Sequence, residues 1–189
     1  MKIGLYFGSF NPVHNGHLII ATHVLNTNDL SQVWFIISPQ NPFKKSASLL
    51  NEQHRLNLVK TAIEGETKLK ASNIEFKLPR PSYTVDTLAY LNENYPQHQF
   101  VIIMGSDSFL NLPKWKNAEV IIKNHEIYIY KRSGFIIEDQ IADNHKILDA
   151  PLLEISSTEI RGLIKQNKSI RYLVPDSVKE EIDRNNYYR

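Results

Sequence analysis

Ile3-Gly4-Leu5-Tyr6-Phe7-Gly8-Ser9-Phe10-Asn11-Pro12, followed by His14-Asn15-Gly16-His17-Leu18-Ile19-Ile20, is the stretch that decides the fold. An apolar run of strand type, Ile3 to Phe7, stops at the turn Gly8 to Pro12, and helical character begins at His14. A buried strand that ends in a tight turn and reopens as a helix leaves that helix's first N–H groups unpaired, with the positive end of its dipole behind them. His14 and His17 stand three apart on this rim and Gly16 lets the backbone come close, so a phosphate is the expected guest. A metal held by the imidazoles and simple helix capping are the competing readings. No third ligand of suitable type lies nearby, and two histidines rarely suffice for a metal.

Outward from this junction the chain alternates. Apolar runs rich in β-branched and aromatic residues occur at 2–8, Val33–Ser38, Phe100–Gly105, Glu126–Lys131 and around Ile147–Ile155. Helical periodicity occupies Asn15–Leu25, Glu52–Glu64, Val85–Glu93, Ser157–Gln166 and Asp176–Asn185. Near-continuous apolar strands separated by helices predict an α/β, Rossmann-like, doubly wound parallel sheet with helices on both faces. Such sheets bind ligands beyond the carboxyl ends of their strands, where strand order reverses, which directs attention to Gly8-Ser9 and Gly105-Ser106-Asp107. The most loop-like segment, 39–51, has a length that in compact domains is often functional.

The 189 residues, 42% apolar and 22% charged, suit one domain over 1–189 that buries roughly 70% of its unfolded surface. With no cysteine there is no disulfide, thiolate metal site or cysteine nucleophile. The chain opens on strand-like sequence with no leader pattern and holds no apolar run near membrane-spanning length, so a cytoplasmic protein without a membrane partner is expected. A net charge of +2 gives no basic stripe for nucleic acid. Oligomeric state is not legible. There is no G-x-G-x-x-G after the first strand and no G-x-x-x-x-G-K-[ST], which argues against a nicotinamide-dependent dehydrogenase and a P-loop NTPase. His23, His54, His98, His125 and His145 lie in ordinary contexts and are read as surface or hydrogen-bonded residues.

The run Gly8 to Pro12 with His14-Asn15-Gly16-His17 resembles the signature of the nucleotidylyltransferase superfamily, whose members move a nucleoside monophosphate from a triphosphate to a phosphate-bearing acceptor. Ile155-Ser156-Ser157-Thr158-Glu159-Ile160-Arg161 is similar to that superfamily's second motif. On its own terms it is a set of good N-cap residues followed one turn in by an arginine, whose planar fork matches phosphate oxygens. Gly105-Ser106-Asp107-Ser108 with Leu112-Pro113-Lys114-Trp115, and Pro81-Ser82-Tyr83-Thr84-Val85-Asp86-Thr87-Leu88, resemble stretches of the nicotinate-mononucleotide adenylyltransferases.

That resemblance implies an ATP site of Gly8, Ser9, Phe10, Gly16, His17, Gly105, Asp107, Ile155, Ser156, Ser157 and Arg161, with Asp107 on the adenosine ribose. It implies a pyridine nucleotide site of Asn41, Lys44, Tyr83, Thr84 and Trp115, the indole stacking on the ring and backbone N–H groups meeting its carboxylate. A core anchor remains the alternative for Trp115, helix N-capping for Thr84, and an N-cap of the following segment for Asp107. Phe43 and Asn11 depart from the family pattern, which commonly has histidine and aspartate there; Lys44 is assigned the basic role near the phosphates with Lys45 as its substitute, a solvated loop tip being the alternative. Adenylyl transfer from ATP to nicotinate mononucleotide is the expected activity. Nicotinamide mononucleotide or phosphopantetheine as acceptor, or a binding module without catalysis, are the alternatives.

The acceptor's phosphate is already a competent dianion near neutral pH, so the chemistry asks for alignment and charge stabilisation without a protein nucleophile or base. His14, His17 and Arg161 are the expected catalytic residues. His17 and the helix start are assigned to the α-phosphate, His14 to the phosphate near the new bond, and Arg161 with Ser157 to the β- and γ-phosphates. Mg²⁺ is expected to arrive through the ATP phosphates, with no metal ligand from the protein. Segments 39–51 and 106–116 are expected to close over the pyridine substrate.

Overall fold

The computed structural model describes residues 1–40, 49–135, 137 and 144–189. Its six strands are β1 (Lys2–Gly8), β2 (Gln32–Ile37), β3 (Leu69–Ser72), β4 (Gln99–Gly105), β5 (Glu126–Tyr130) and β6 (His145–Leu148). They form one sheet in the order β3-β2-β1-β4-β5-β6, and every neighbouring pair is parallel. The helices are α1 (Asn15–Thr27), α2 (Glu52–Ala62), α3 (Thr84–Asn94), α4 (Ser106–Leu110), α5 (Ala118–Asn124), α6 (Ser157–Lys165) and α7 (Asp176–Arg184). This is the expected Rossmann-like doubly wound fold.

Period-two side chains explain why both faces are covered. Val33, Phe35 and Ile37 of β2 point with Tyr6, Val101 and Ile103 into one core, closed by Ile20 and Val24 of α1, Leu56 and Val59 of α2, Ile160 and Ile164 of α6, and Val178 and Ile182 of α7. Trp34 and Ile36 point the other way with Ile3, Leu5, Ile102 and Ile129, under Leu88 and Leu91 of α3, Phe109 of α4 and Ile121 of α5. Each such buried aliphatic side chain contributes roughly 1.5–3 kcal/mol. A strand wetted on one side would alternate with polar residues, whereas β1, β2, β4 and β5 are apolar throughout after their first residue.

The strand order reverses between β1 and β4. Their register pairs Tyr6 with Ile103, so two residues further on Gly8 and Gly105 end side by side at the carboxyl edge, opening the crevice expected of this topology. The chain's connections bring α1, α3, α4 and α6 to start at this edge or close beside it.

Some expectations shift. The last strand lies at His145–Leu148 and not over Ile147–Ile155; residues 149–156 carry no regular structure, which lets them cross the strand ends to reach α6. β3, a four-residue edge strand, and the short helices α4 and α5 leave no pattern in the sequence. Each is too brief to present a period. Segment 106–116, expected to close as a loop, is α4 followed by a 3₁₀ turn at Leu112–Lys114. Asn41, Phe43, Lys44 and Lys45 lie outside the described residues. No helix among those described is long and apolar enough to cross a membrane.

Candidate active site

At the switch point lies a cavity of about 380 Å³, within the size range of small-molecule sites. Gly8, Ser9, Phe10, His14, His17, Tyr83, Thr84, Gly105, Asp107, Trp115, Ile155, Ser156, Ser157 and Arg161 all line it. Gly16 does not. It is buried behind His14, where an added Cβ would stand 3.0 Å from the ring's Nδ1 and 3.1 Å from its Cε1. Its glycine identity therefore makes room for an imidazole.

The first turn is held by aromatic packing. Phe10 adopts a left-handed φ of 47°, a conformation that costs a non-glycine residue about 1–3 kcal/mol, and its buried ring packs edge-on against Tyr6, His17 and Phe35. A Cβ at Gly8 would meet that ring at 2.8 Å, so Gly8 is the space Phe10 occupies. Arg55, 0% exposed, fastens the turn from below. It donates to the carbonyls of Ser9 at 2.6 Å, Ser38 at 2.8 Å, Pro39 at 3.0 Å and Leu50 at 2.8 Å. A buried guanidinium satisfied by backbone acceptors ties the ends of β1 and β2 together without a carboxylate.

His14 takes the N-cap position of α1 and its ring stacks on His17, the centroids 3.6 Å apart. The N–H of His14 donates to Nδ1 of His17 at 3.3 Å, so the His17 proton sits on Nε2. His14 Nδ1 is buried without a hydrogen-bond partner in the described structure. Burial, with the nearby Arg132 charge second, lowers the His14 pKa from 6.5 to about 4. The sequence spacing suggests two imidazoles leaning over an anion. The structure stacks them face to face, and His14 is neutral at neutral pH because burial disfavours its charged form.

The second motif is clasped to the first across 150 residues of chain. Arg161 Nη1 donates to the Asn11 carbonyl at 2.8 Å and Ser157 Oγ to the Pro12 carbonyl at 2.8 Å. Ser156 caps α6, its Oγ accepting from the Glu159 N–H at 3.1 Å. Thr84 does not cap α3: Tyr83 holds that position and Thr84 is the first helical residue. Nor does Asp107 cap α4, whose N-cap is Gly105; its carboxylate pairs with Arg132 Nε at 3.3 Å. Trp115 is half-buried, one side on the second core and the other in the cavity, so it is both anchor and wall.

The cavity also draws in residues that sequence reasoning missed. Arg132, two residues past β5, bonds the Tyr130 hydroxyl at 3.2 Å, and Tyr130 meets Tyr6 at 3.3 Å. Its signal was present, because it follows the carboxyl end of a strand as Gly8 and Gly105 do. Glu75 and Lys116 also line the cavity, and nothing in their spacing announces it.

A Rossmann-like sheet whose switch point collects several helix starts, two stacked histidines and an arginine fork defines an α/β protein of the nucleotide-binding class. The family model described as cytidylyltransferase-like matches residues 5–163. Proteins named probable nicotinate-nucleotide adenylyltransferase in Flavobacterium johnsoniae and Cytophaga hutchinsonii are each 52% identical over 100% of this chain and cover 100% and 98% of their own lengths. The chain belongs to the cytidylyltransferase-like family and, within it, to the nicotinate-nucleotide adenylyltransferases, which are nucleotidyltransferases. Among solved structures, the Plasmodium falciparum nicotinic acid mononucleotide adenylyltransferase complexed with NaAD shares the fold, with a TM-score of 0.85 at 22% identity over 99% of this chain and 97% of that one.

Proposed function

We propose that the chain transfers AMP from ATP to nicotinate mononucleotide, giving nicotinate adenine dinucleotide and pyrophosphate for NAD biosynthesis. The observation that carries this reading is one cavity shared by the starts of α1 and α6, with His14, His17 and Arg161, and by the aromatic end formed by Tyr83, Thr84 and Trp115. One end has phosphate chemistry and the other has the flat, apolar chemistry of a pyridine ring.

In this mechanism an oxygen of the acceptor's phosphate forms a bond to the α-phosphorus of ATP as the bond from that phosphorus to the bridging oxygen breaks. Pyrophosphate leaves with the electron pair. The acceptor phosphate is largely a dianion at neutral pH, so no protein base is needed. His17 donates its Nε2–H to an α-phosphate oxygen whose charge grows in the transition state, and the first N–H groups of α1 add their dipole. Neutral His14 gives the neighbouring phosphate a hydrogen bond. Arg161 and the start of α6 take the β- and γ-phosphates. Because the Ser157 hydroxyl is donated to Pro12, that residue contributes its backbone and the brace between the motifs. Asp107 accepts from the adenosine ribose at the end of β4, beside Gly105. A Cβ at Gly105 would come 2.5 Å from Asp107 Oδ1 and 2.9 Å from Arg132 Nε, so glycine preserves that corner.

Mg²⁺ bound through the ATP phosphates would supply positive charge to the departing pyrophosphate. Among the described residues no group of three or more His, Asp or Glu converges to hold a metal. Trp115 stacks on the pyridine ring while backbone donors at Thr84 meet its carboxylate. The test is pyrophosphate release from ATP and Mg²⁺ with nicotinate mononucleotide, nicotinamide mononucleotide and phosphopantetheine in parallel. Nicotinate mononucleotide gives the highest kcat/KM; ATP binding with no pyrophosphate release under any acceptor overturns the reading.

A further inference from the structure

Glu75 is a buried carboxylate that the mechanism leaves without a role. It sits in the 3₁₀ turn Ile74–Lys77 that leads toward α3, lines the cavity, and is 2% exposed. Oε2 accepts from the Ser82 hydroxyl at 2.7 Å and Oε1 from the Thr87 hydroxyl at 2.9 Å. Among the described residues Glu75 has no cation as partner, so hydroxyls alone satisfy it.

These partners stand on either side of Tyr83-Thr84. Ser82 precedes the pair and Thr87 follows it by one turn of α3, both buried. The Tyr83 carbonyl accepts from the N–H groups of Asp86 at 3.0 Å and Thr87 at 3.2 Å, which closes the first turn of α3. One carboxylate therefore grips the side chains before and after the residues that face the pyridine end. A neutral side chain would hold the same hydroxyls more weakly, because hydrogen bonds to an ionised acceptor are about twice as strong.

We propose that Glu75 is a positioning residue that sets acceptor specificity: through Ser82 and Thr87 it fixes the Tyr83-Thr84 backbone so that its N–H groups fit a ring carboxylate better than the corresponding amide. The proposal rests on the adenylyl-transfer reading above. Selection between a carboxylate and an amide of nearly equal shape needs donors held rigidly, since a backbone that can rotate offers its carbonyl to the amide instead. Glu75 touches no reacting atom. Its effect falls on the acceptor and not on ATP, whose phosphates meet α1 and α6.

The experiment measures kcat/KM for nicotinate mononucleotide and for nicotinamide mononucleotide at saturating ATP, with KM for ATP alongside. The proteins are wild type, Glu75→Gln, Thr87→Val and Thr87→Ser. Thr87→Val is isosteric, and so keeps the test open where Glu75→Gln fails to fold. Both Glu75→Gln and Thr87→Val lower the acid-to-amide ratio, Thr87→Val by about tenfold, while KM for ATP stays within about twofold. Thr87→Ser restores the hydroxyl and returns the ratio to within about threefold of wild type. A wild-type ratio in folded Glu75→Gln and Thr87→Val overturns the proposal, as does an equal rise in KM for both substrates, the mark of a merely structural role. A wild-type enzyme with no preference for nicotinate mononucleotide removes the functional reading and this proposal together; preference in wild type, kept unchanged by the variants, removes the proposal alone.

Discussion

Acidification tests the burial of His14 directly. The ring is 5% exposed and its pKa falls from 6.5 in the unfolded chain to about 4 in the folded one. Between those values the unfolded state binds more protons, so stability falls as pH falls, with no loss from this group above 6.5 and the full loss reached below 4. At about 1.36 kcal/mol for each tenfold change in proton affinity, the full difference is about 3 kcal/mol, of which about 2 to 3 kcal/mol is felt at about pH 4.5. His125, whose pKa burial also lowers, adds a loss of the same sign. A control is therefore needed that keeps His125 and removes only His14. His14→Asn serves, because asparagine is among the preferred N-cap residues and preserves the start of α1. Urea unfolding of both proteins at about pH 7.5 and 4.5 gives four free energies. Wild type loses about 2 to 3 kcal/mol more than the variant between the two conditions. Parallel losses, equal within about 0.5 kcal/mol, refute the account, because they mean that folding does not exclude a proton from His14.

Three further outcomes follow from the same geometry. His17→Ala lowers kcat by about 10² to 10³ with little change in KM, the usual effect of removing one donor from a developing oxyanion, and steady-state kinetics within about threefold of wild type refute it. Arg55→Met leaves the carbonyls of Ser9, Ser38, Pro39 and Leu50 without their shared donor and costs about 3 to 5 kcal/mol, read from urea midpoints; an unchanged midpoint refutes the brace. Gly16→Ala pushes on the His14 ring, 3.0 Å from the new methyl, and lowers kcat by about tenfold or more while the unfolding midpoint moves little.

The parts of the site that were legible in sequence share a local cause. Gly8, His14, His17, Ser156 and Arg161 sit at junctions where an apolar run stops and a helix begins, and both the stop and the start are written in neighbouring residues. The long helices lie within two residues of their expected bounds at either end because each presents a periodic apolar face. Thr84 shows the limit of this reasoning. Its type suits a cap, yet the backbone turns one residue earlier, and the carboxylate that shapes the turn comes from Glu75, before the turn begins.

What the sequence by itself determined is the alternation of buried strands and amphipathic helices, hence a doubly wound sheet, and the junctions at Gly8 to His17 and Ser156 to Arg161 that we propose hold phosphates. Both follow from periodicity, turn chemistry and the dipole of a helix start, which act over a few residues. Only the tertiary structure decided how those junctions meet. Arg161 bonds the Asn11 carbonyl, Arg55 ties Ser9 to Ser38, and Arg132 joins Asp107, because the parallel sheet returns each strand's carboxyl end to the same edge. The charge state of His14 was decided there too. An imidazole's proton affinity depends on how much water and charge surround it, and that is set by which distant residues close over it.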